Sequence, residues 1–358
     1  MIRPITTGQA IMILMLSMGL MNHVIVLPSI LGVAHRDSWI SAIFTGVIYL
    51  LWIPLVYYII KKANKKHLIE WLKESSHPIV AMIVKIILLC VLLLSTFVTL
   101  FSTFTWVNSS YMPQTPKLFL IIPFIIICFF AAEAGIKTIA VMAGLLLPFV
   151  IIFGFFIMTA NIHYKDYSLL FPIFEHGFGP TLRGAIYLGG GLVEIFFLVL
   201  MQQHVRTEIK FSGILFLSLF IIGINFGPIA SAIAEFGPQQ AAEFKNPAYT
   251  QWRMLTIGKY LNRLDFLSIY QWLSGAFVRV SISLFLIADL LQIKSKRNRT
   301  IFLSIISIGY IIANALPIND PAFKSFLNTY YFQASLIGIV FITFFISITT
   351  ILKKIVRT

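Results

Sequence analysis

Two ionisable side chains stand deep inside long apolar runs of this sequence. Glu194 follows one turn after a row of three glycines, and Arg279 lies in the middle of the run from 267 to 292. Because burying a charge in a bilayer is costly, such residues are candidates for function. A carboxylate at 194 would accept hydrogen bonds from unwound backbone or bind a proton during transport. Arg279 needs acceptors, and Glu194 is one candidate; a structural ion pair that braces two helices is the alternative.

Residues that disfavour a regular helix interrupt two of the apolar runs. The first run, 7–34, carries Gly19, Met21, Asn22, His23 and Pro28, and the sixth run, 181–203, carries Gly189, Gly190 and Gly191. Each glycine costs about 1 kcal/mol relative to alanine in a helix interior, so the triplet should unwind its helix unless packing compensates. Breaks at matching places in two halves indicate an inverted-repeat transporter with a ligand near the membrane midplane. The alternative is that the glycines permit close helix packing.

Hydroxyl side chains on the third run are further candidates for the same pocket. Thr96, Thr99, Ser102 and Thr103 lie on roughly one helical face, although helix-to-helix hydrogen bonds would also explain them. His23 is the one histidine at membrane depth, where it is a hydrogen-bonded break residue or a ligand. The predicted ligand-binding set is therefore Gly19, Met21, Asn22, His23, Thr99, Thr103, Gly189, Gly190, Gly191, Glu194 and Arg279.

Signatures of enzymes, metal sites and cofactor sites do not occur in the sequence. Cys90 and Cys128 both stand in apolar runs, which gives neither a disulfide framework nor a metal cluster. No P-loop, zinc-binding His-Glu pattern, nucleophile elbow or dinucleotide-binding glycine motif can be read. We expect a protein without enzymatic activity, bound metal or cofactor.

The elements that position these residues are membrane-spanning helices. Hydrophobic residues make up 59% of the chain and charged residues 11%, whereas a soluble domain has about 25% charged residues. Runs long enough to cross a bilayer recur at 7–34, 38–60, 79–108, 117–133, 136–160, 181–203, 211–235, 267–292, 300–317 and 330–352. The predicted fold is an all-α integral membrane protein of about ten transmembrane helices. It forms one polytopic domain, 1–358, whose two five-helix repeats cover about 7–160 and 181–352.

A net charge of +14 could indicate a protein that binds nucleic acid. The basic residues of this chain, however, lie mostly in alternate loops. Those loops are cytoplasmic by the positive-inside rule, which places both termini in the cytoplasm. We therefore expect a lipid bilayer, and no nucleic acid, around this chain.

Three loop segments carry structure predictions of their own. The segment with Leu68, Ile69, Trp71 and Leu72 among charged residues suggests a short amphipathic helix on the inner leaflet, with a solvated basic loop as the alternative. Two long outer segments, 161–180 and 236–266, have a length typical of functional loops. Apolar periodicity from 248 to 265 predicts an external helix that caps the membrane part.

Specific residues across almost the whole chain resemble the spore germination permeases, the B subunits of endospore germinant receptors. The resemblance is carried by Leu27-Pro28, by Leu170-Phe171-Pro172 through Gly177 and Gly179-Pro180 to Gly184, by Glu194, and by Gly258, Tyr260-Leu261, Arg263-Leu264-Asp265 and Trp272. The last group is the most specific. Where the family usually has small residues in the first break, this chain has Met21 and His23.

The resemblance implies a fold, a location and partners. The family is similar to amino-acid/polyamine/organocation transporters, so the implied fold is the leucine-transporter 5+5 inverted repeat with helices one and six broken. The implied location is the spore inner membrane, in a complex with an A-type subunit and a lipoprotein C-type subunit, and the implied ligand is a nutrient such as an amino acid. Three hypotheses remain: a nutrient sensor, a proton-coupled amino-acid transporter, and a structural membrane scaffold with a degenerate pocket.

Overall fold

The computed structural model describes residues 4–256, 263–293 and 295–351, together with the backbone of 352–357. Helices account for nearly all of this part, and its one β-bridge joins Ile5 to Val205. The helices are α1 Thr7–Leu20, α2 Leu27–Ala34, α3 Ser38–Ala63, α4 Leu68–Ser75, α5 Pro78–Ser110, α6 Lys117–Ala134, α7 Ile136–Ala160, α8 Phe178–Leu192, α9 Phe197–Met201, α10 Phe211–Phe236, α11 Pro238–Glu243, α12 Pro247–Met254, α13 Phe266–Leu290, α14 Lys296–Ala315, α15 Asp320–Phe326 and α16 Phe332–Arg357.

The described residues form nine helical stretches that are long and apolar enough to cross a membrane. The first stretch, Thr7–Ala63, has 57 residues and would measure about 85 Å if straight, far more than the roughly 30 Å of a bilayer core. It is divided at His35, whose φ of 44° ends α2, so it supplies two spans. An all-helical protein with about ten spans is thereby confirmed, whereas the 5+5 repeat remains a prediction.

Spans one and six run in opposite directions. The backbone N–H of Ile5, just before α1, donates to the carbonyl of His204 over 2.9 Å, and Arg206 N–H donates to Ile5 over 2.9 Å. Thr7 N–H donates to Thr207 Oγ1 over 2.7 Å on the same face. The start of span one therefore lies beside the end of span six.

The spans differ in how deeply they are packed. Most residues of α8, α9 and α13 are buried, and α1 packs between α13, α7 and α10. By contrast, α7 exposes a long apolar face that includes Leu145, Phe149 and Ile152. The centre of the bundle therefore lies where spans one, six and eight meet, and α7 stands at its edge.

The loop helices agree only in part with the sequence predictions. The basic loop contains the predicted helix, α4, but its apolar residues pack against α5 inside the protein instead of lying on the inner leaflet. The external helix, α12, ends at Met254, so its predicted extent to 265 is wrong. The backbone of Leu255 is extended, and residues 257–262 lie outside the described part of the chain. Outer segment 161–180 is held by Arg36, which donates to the carbonyls of Leu169 and Phe171.

Candidate functional site

Span one is broken at the predicted place. After α1 the backbone forms a wide π-turn over Met21–Ile25, and Val26 N–H donates to Met21 O over 2.9 Å. Asn22 is buried, and its Nδ2 donates back to Met18 O over 2.8 Å. The Oδ1 atom of Asn22 has no hydrogen-bond partner among the described residues. The break therefore leaves one buried acceptor unpaired near the centre of the bundle.

Span six is broken after the glycine triplet and not within it. The helix α8 ends at Leu192, so Gly189, Gly190 and Gly191 lie in its last turn. A 3-10 turn follows at Val193–Phe196. The prediction that the triplet unwinds is wrong, and close packing, its alternative, is the role seen. A Cβ on Gly190 would lie 2.5 Å from the carbonyl oxygen of Phe332.

The other two glycines are packed in the same way. A Cβ on Gly191 would lie 2.5 Å from Asn22 Oδ1, and one on Gly189 would lie 3.0 Å from Leu336 Cδ1. Since α16 and the span-one break both approach α8 at the triplet, packing offsets the helix penalty of the glycines. The triplet thus fixes the distance between the two broken spans.

The 3-10 turn of span six carries Glu194, and this carboxylate forms a buried ion pair with Arg279. Arg279 Nη2 donates to Glu194 Oε1 over 2.6 Å, and Nη1 donates to Oε2 of the same carboxylate. Both side chains are almost completely buried, at 0% and 1% exposure. The predicted partnership of these residues is confirmed, with the bidentate geometry that a planar guanidinium prefers.

Arg279 also reaches three other spans. Its Nε donates to Thr99 Oγ1 over 2.7 Å, and its Nη1 donates to the carbonyl of Ser17 over 3.3 Å. A longer bond of 3.5 Å joins Nη2 to the hydroxyl of Tyr331, which lies in a π-turn before α16. One guanidinium therefore links spans one, three, six, eight and ten. We call Arg279, Glu194, Thr99, Ser17 and Tyr331 the central cluster.

The spans that meet at the central cluster carry further buried oxygens without partners in the described residues. They are the Ser17 hydroxyl and Asn22 Oδ1 in span one, and the hydroxyl of Thr103, which stands one turn along α5 from Thr99. A buried polar group left unpaired costs about 1–3 kcal/mol. A ligand that brings hydrogen-bond donors would satisfy these oxygens.

Sequence reasoning did not include Ser17 or Tyr331. Ser17 contributes its backbone carbonyl to Arg279, and any residue type would supply that group. Tyr331 stood at the predicted edge of the tenth span, where a tyrosine is ordinary. Neither residue offered a sequence signal.

A cavity lies on another side of span one. It has a volume of about 450 Å³ and is bordered by α1, α7, α10, α12 and α13. Of the predicted set, Gly19 and His23 line it, whereas the other nine residues do not. The residues predicted to form one site are thus divided between two places. One is the central cluster, and the other is this cavity, which we call the lateral cavity.

No group of three or more His, Cys, Asp or Glu residues in the described chain is arranged to hold a metal ion.

Of the residues that carried the resemblance, Gly184 allows close packing, since a Cβ at this position would lie 2.7 Å from Ser41 Oγ. Trp272 stacks on Trp106 with ring centroids 3.8 Å apart. Gly258, Tyr260 and Leu261 lie outside the described residues.

The described residues therefore define a multi-span membrane protein in which spans one and six are interrupted. Residues 4–321 match the family described as spore germination protein, and the chain belongs to that family. The chain is 42% identical to spore germination protein XB of Bacillus anthracis over 332 residues, which is 92% of this chain and 93% of that protein. It is 29% identical to the provisionally named spore germination protein YfkT of Bacillus subtilis (strain 168), over 71% of this chain and 70% of that protein.

Proposed function

We propose that this chain is the membrane subunit of a nutrient germinant receptor in spores, which binds a small nutrient such as an amino acid and triggers germination. Family membership supports the setting. The observation that carries the binding role is the buried Arg279–Glu194 pair, because it joins broken span six to span eight through opposite charges, while Arg279 also donates to the Ser17 carbonyl of broken span one. In this proposal the chain works in the spore inner membrane with A-type and lipoprotein C-type subunits.

An amino acid has the two charges needed to exchange with this pair. Its carboxylate replaces Glu194 on Arg279, while its ammonium takes the place of the guanidinium beside Glu194. Each of the four charges then has an opposite partner, so the penalty of leaving a buried charge unpaired is avoided. The unpaired oxygens of Asn22, Ser17 and Thr103 are the acceptors available for the ammonium hydrogens.

Exchange of the pair would release spans six and eight from each other. A ligand shifts a two-state equilibrium only by its differential affinity for the two states. Here that difference arises because the ligand's contacts form only when Arg279 and Glu194 separate. Partner subunits would then read out the change in the bundle.

Proton-coupled amino-acid transport is the second candidate function. The antiparallel broken spans favour it, since that arrangement serves alternating access in transporters. Glu194 is then the proton carrier, and Glu194→Gln would abolish uptake. The sensor predicts ligand binding without accumulation inside vesicles, which separates the two functions.

A variant at the glycine triplet cannot test the scaffold hypothesis. Gly190→Leu would clash with the Phe332 backbone and disrupt the fold, whatever the function of the protein. Asn22→Ala removes one unpaired acceptor beside the central cluster. Asn314→Ala is a matched control, since Asn314 also donates to its i−4 carbonyl, over 2.9 Å, and has an unpaired Oδ1 in span nine. Both variants lose the same local bond.

The test is nutrient-induced germination of spores that carry either variant as their only copy of this subunit. Asn22→Ala is expected to raise the nutrient concentration for half-maximal germination by about tenfold, the effect of losing a hydrogen bond to a charged group. Asn314→Ala is expected to leave it unchanged. Equal responses of the two variants would contradict a nutrient site at the central cluster.

A further inference from the structure

The lateral cavity has the wall chemistry of a site for an apolar molecule. None of the described residues that line it is Asp, Glu, Lys or Arg. Along its length the walls are aliphatic and aromatic, as at Leu16, Ile151 and Phe220. A zwitterion would leave both of its charges unpaired there, at high energetic cost. The cavity therefore selects against the ligand class proposed for the central cluster.

Apart from His23 on the span-one break, the polar side chains of the cavity lie at its outer end. Gln251 on α12 donates to Ser231 over 2.8 Å, and Gln271 on α13 accepts from Trp252 over 3.1 Å. Trp272 also lines this end and is 4% exposed. The amide and hydroxyl side chains at this end suit an uncharged polar headgroup, whereas the aliphatic and aromatic walls suit a hydrocarbon chain.

The mouth of the cavity opens sideways between α7 and α10. Phe155 and Met158 on α7 and Leu219 on α10 line the cavity and are also 49–60% exposed. Exposed apolar side chains on a membrane span face lipid, so the mouth meets the bilayer. From Ser231 to Leu219 the α10 wall is about 18 Å long, close to the roughly 15 Å of one leaflet's hydrocarbon.

We propose that the lateral cavity binds one acyl chain of a neutral lipid that enters from the outer leaflet, with its uncharged headgroup beside Trp272. The match between the walls, the mouth and the leaflet thickness carries this inference, which does not depend on the proposed nutrient site. The bound chain contacts Gly19 and His23, the two break residues that face away from the central cluster.

The glycines of the cavity wall provide the test variant and its control. A Cβ on Gly223 meets no atom within 4 Å, and neither does a Cβ on Gly309 in α14. Both residues are exposed and stand inside membrane spans, but only Gly223 lines the cavity. Gly223→Leu should therefore obstruct the cavity, and Gly309→Leu should leave it open. Gly154→Leu obstructs the opposite wall and serves as a second variant should Gly223→Leu fail to fold.

The experiment uses the purified full chain in nanodiscs that contain a small proportion of monoacylglycerol with a diazirine on its acyl chain. After irradiation, mass spectrometry maps the labelled peptides. We expect labelling to concentrate on α1, α7 and α10, to be competed by unlabelled monoacylglycerol, and to fall by about tenfold in Gly223→Leu. Gly309→Leu should label like the unaltered chain.

Three results would overturn the proposal. The first is labelling spread evenly over all membrane-facing helices. The second is equal labelling of the Gly223→Leu and Gly309→Leu proteins when both are folded. The third is competition by a free amino acid, which would make the cavity an entry site for a water-soluble nutrient.

Discussion

Two sides of the same broken helix face very different surroundings. On one side, the Ser17 carbonyl and Asn22 belong to a buried polar centre where Arg279 forms an ion pair with Glu194. On another side, Gly19 and His23 face a cavity of about 450 Å³ whose lining contains no charged residue in the described chain. The break in span one thus has a polar, closely packed side and a side that faces apolar walls.

The comparison of the two sides shows that the polar side of span one is also its closely packed side. Around the central cluster, glycines allow helices to approach until any Cβ would collide with a neighbour. Beside the lateral cavity, Gly19 and Gly223 have open space in front of them. Gly190 and Gly223 therefore have opposite surroundings, and substitutions at these two glycines separate the two regions.

The largest effect is expected when one member of the ion pair is removed. Arg279→Met or Glu194→Leu alone leaves a buried unpaired charge and should lower the free energy of unfolding by about 3–5 kcal/mol. The double variant Arg279→Met with Glu194→Leu should recover most of this loss, because no charge then remains to be desolvated. Denaturant or thermal unfolding of the purified proteins in detergent measures both. If the single variants were as stable as the unaltered chain, the Arg279–Glu194 pair would not be buried away from water.

A smaller effect is expected at the glycine triplet. Gly190→Ala places a methyl group against the Phe332 backbone, which cannot rotate away as a side chain does, and should destabilise by about 1–3 kcal/mol. Gly309→Ala, its control in open surroundings, should gain up to about 1 kcal/mol from helix propensity. The two melting temperatures should therefore move in opposite directions. A stabilised Gly190→Ala protein would contradict the close approach of α8 and α16.

The smallest effect is expected in the cavity wall. Gly223→Ala adds a methyl group to unoccupied space and should raise stability by about 0.5–1 kcal/mol through helix propensity alone. The comparison with Gly190→Ala asks directly whether the two regions differ in packing. Loss of stability in Gly223→Ala, seen as a lower melting temperature, would mean that α10 is tightly packed there.

The sequence predicted those features that follow from polarity and helix breaking. Glu194 and Arg279 stood out because charges are rare in apolar runs, and each is the other's partner. The span-one break was predicted from Asn22 and His23 between apolar segments. The glycine triplet was misread because propensity favours unwinding, whereas the neighbours that keep it helical come from spans one and ten, each more than a hundred residues away in the sequence.

One weak feature of the sequence indicated that the predicted site is divided between two places. Gly19 and His23 are four residues apart and share a helical face, while Asn22 shares a face with Met18. Which face meets Arg279 and which meets the lateral cavity depends on the packing of α7 and α10. That packing is a property of the assembled bundle, so periodicity within one span could not reveal it.

The most direct test is a paired binding and uptake assay on purified protein in liposomes. It uses a panel of labelled amino acids, with and without a proton gradient, and compares the unaltered chain with the double variant Arg279→Met with Glu194→Leu. We predict that the unaltered chain binds at least one amino acid without accumulating it, and that the folded double variant binds none. Equal binding by the double variant would remove the nutrient site from the central cluster, and gradient-driven accumulation would make the protein a transporter.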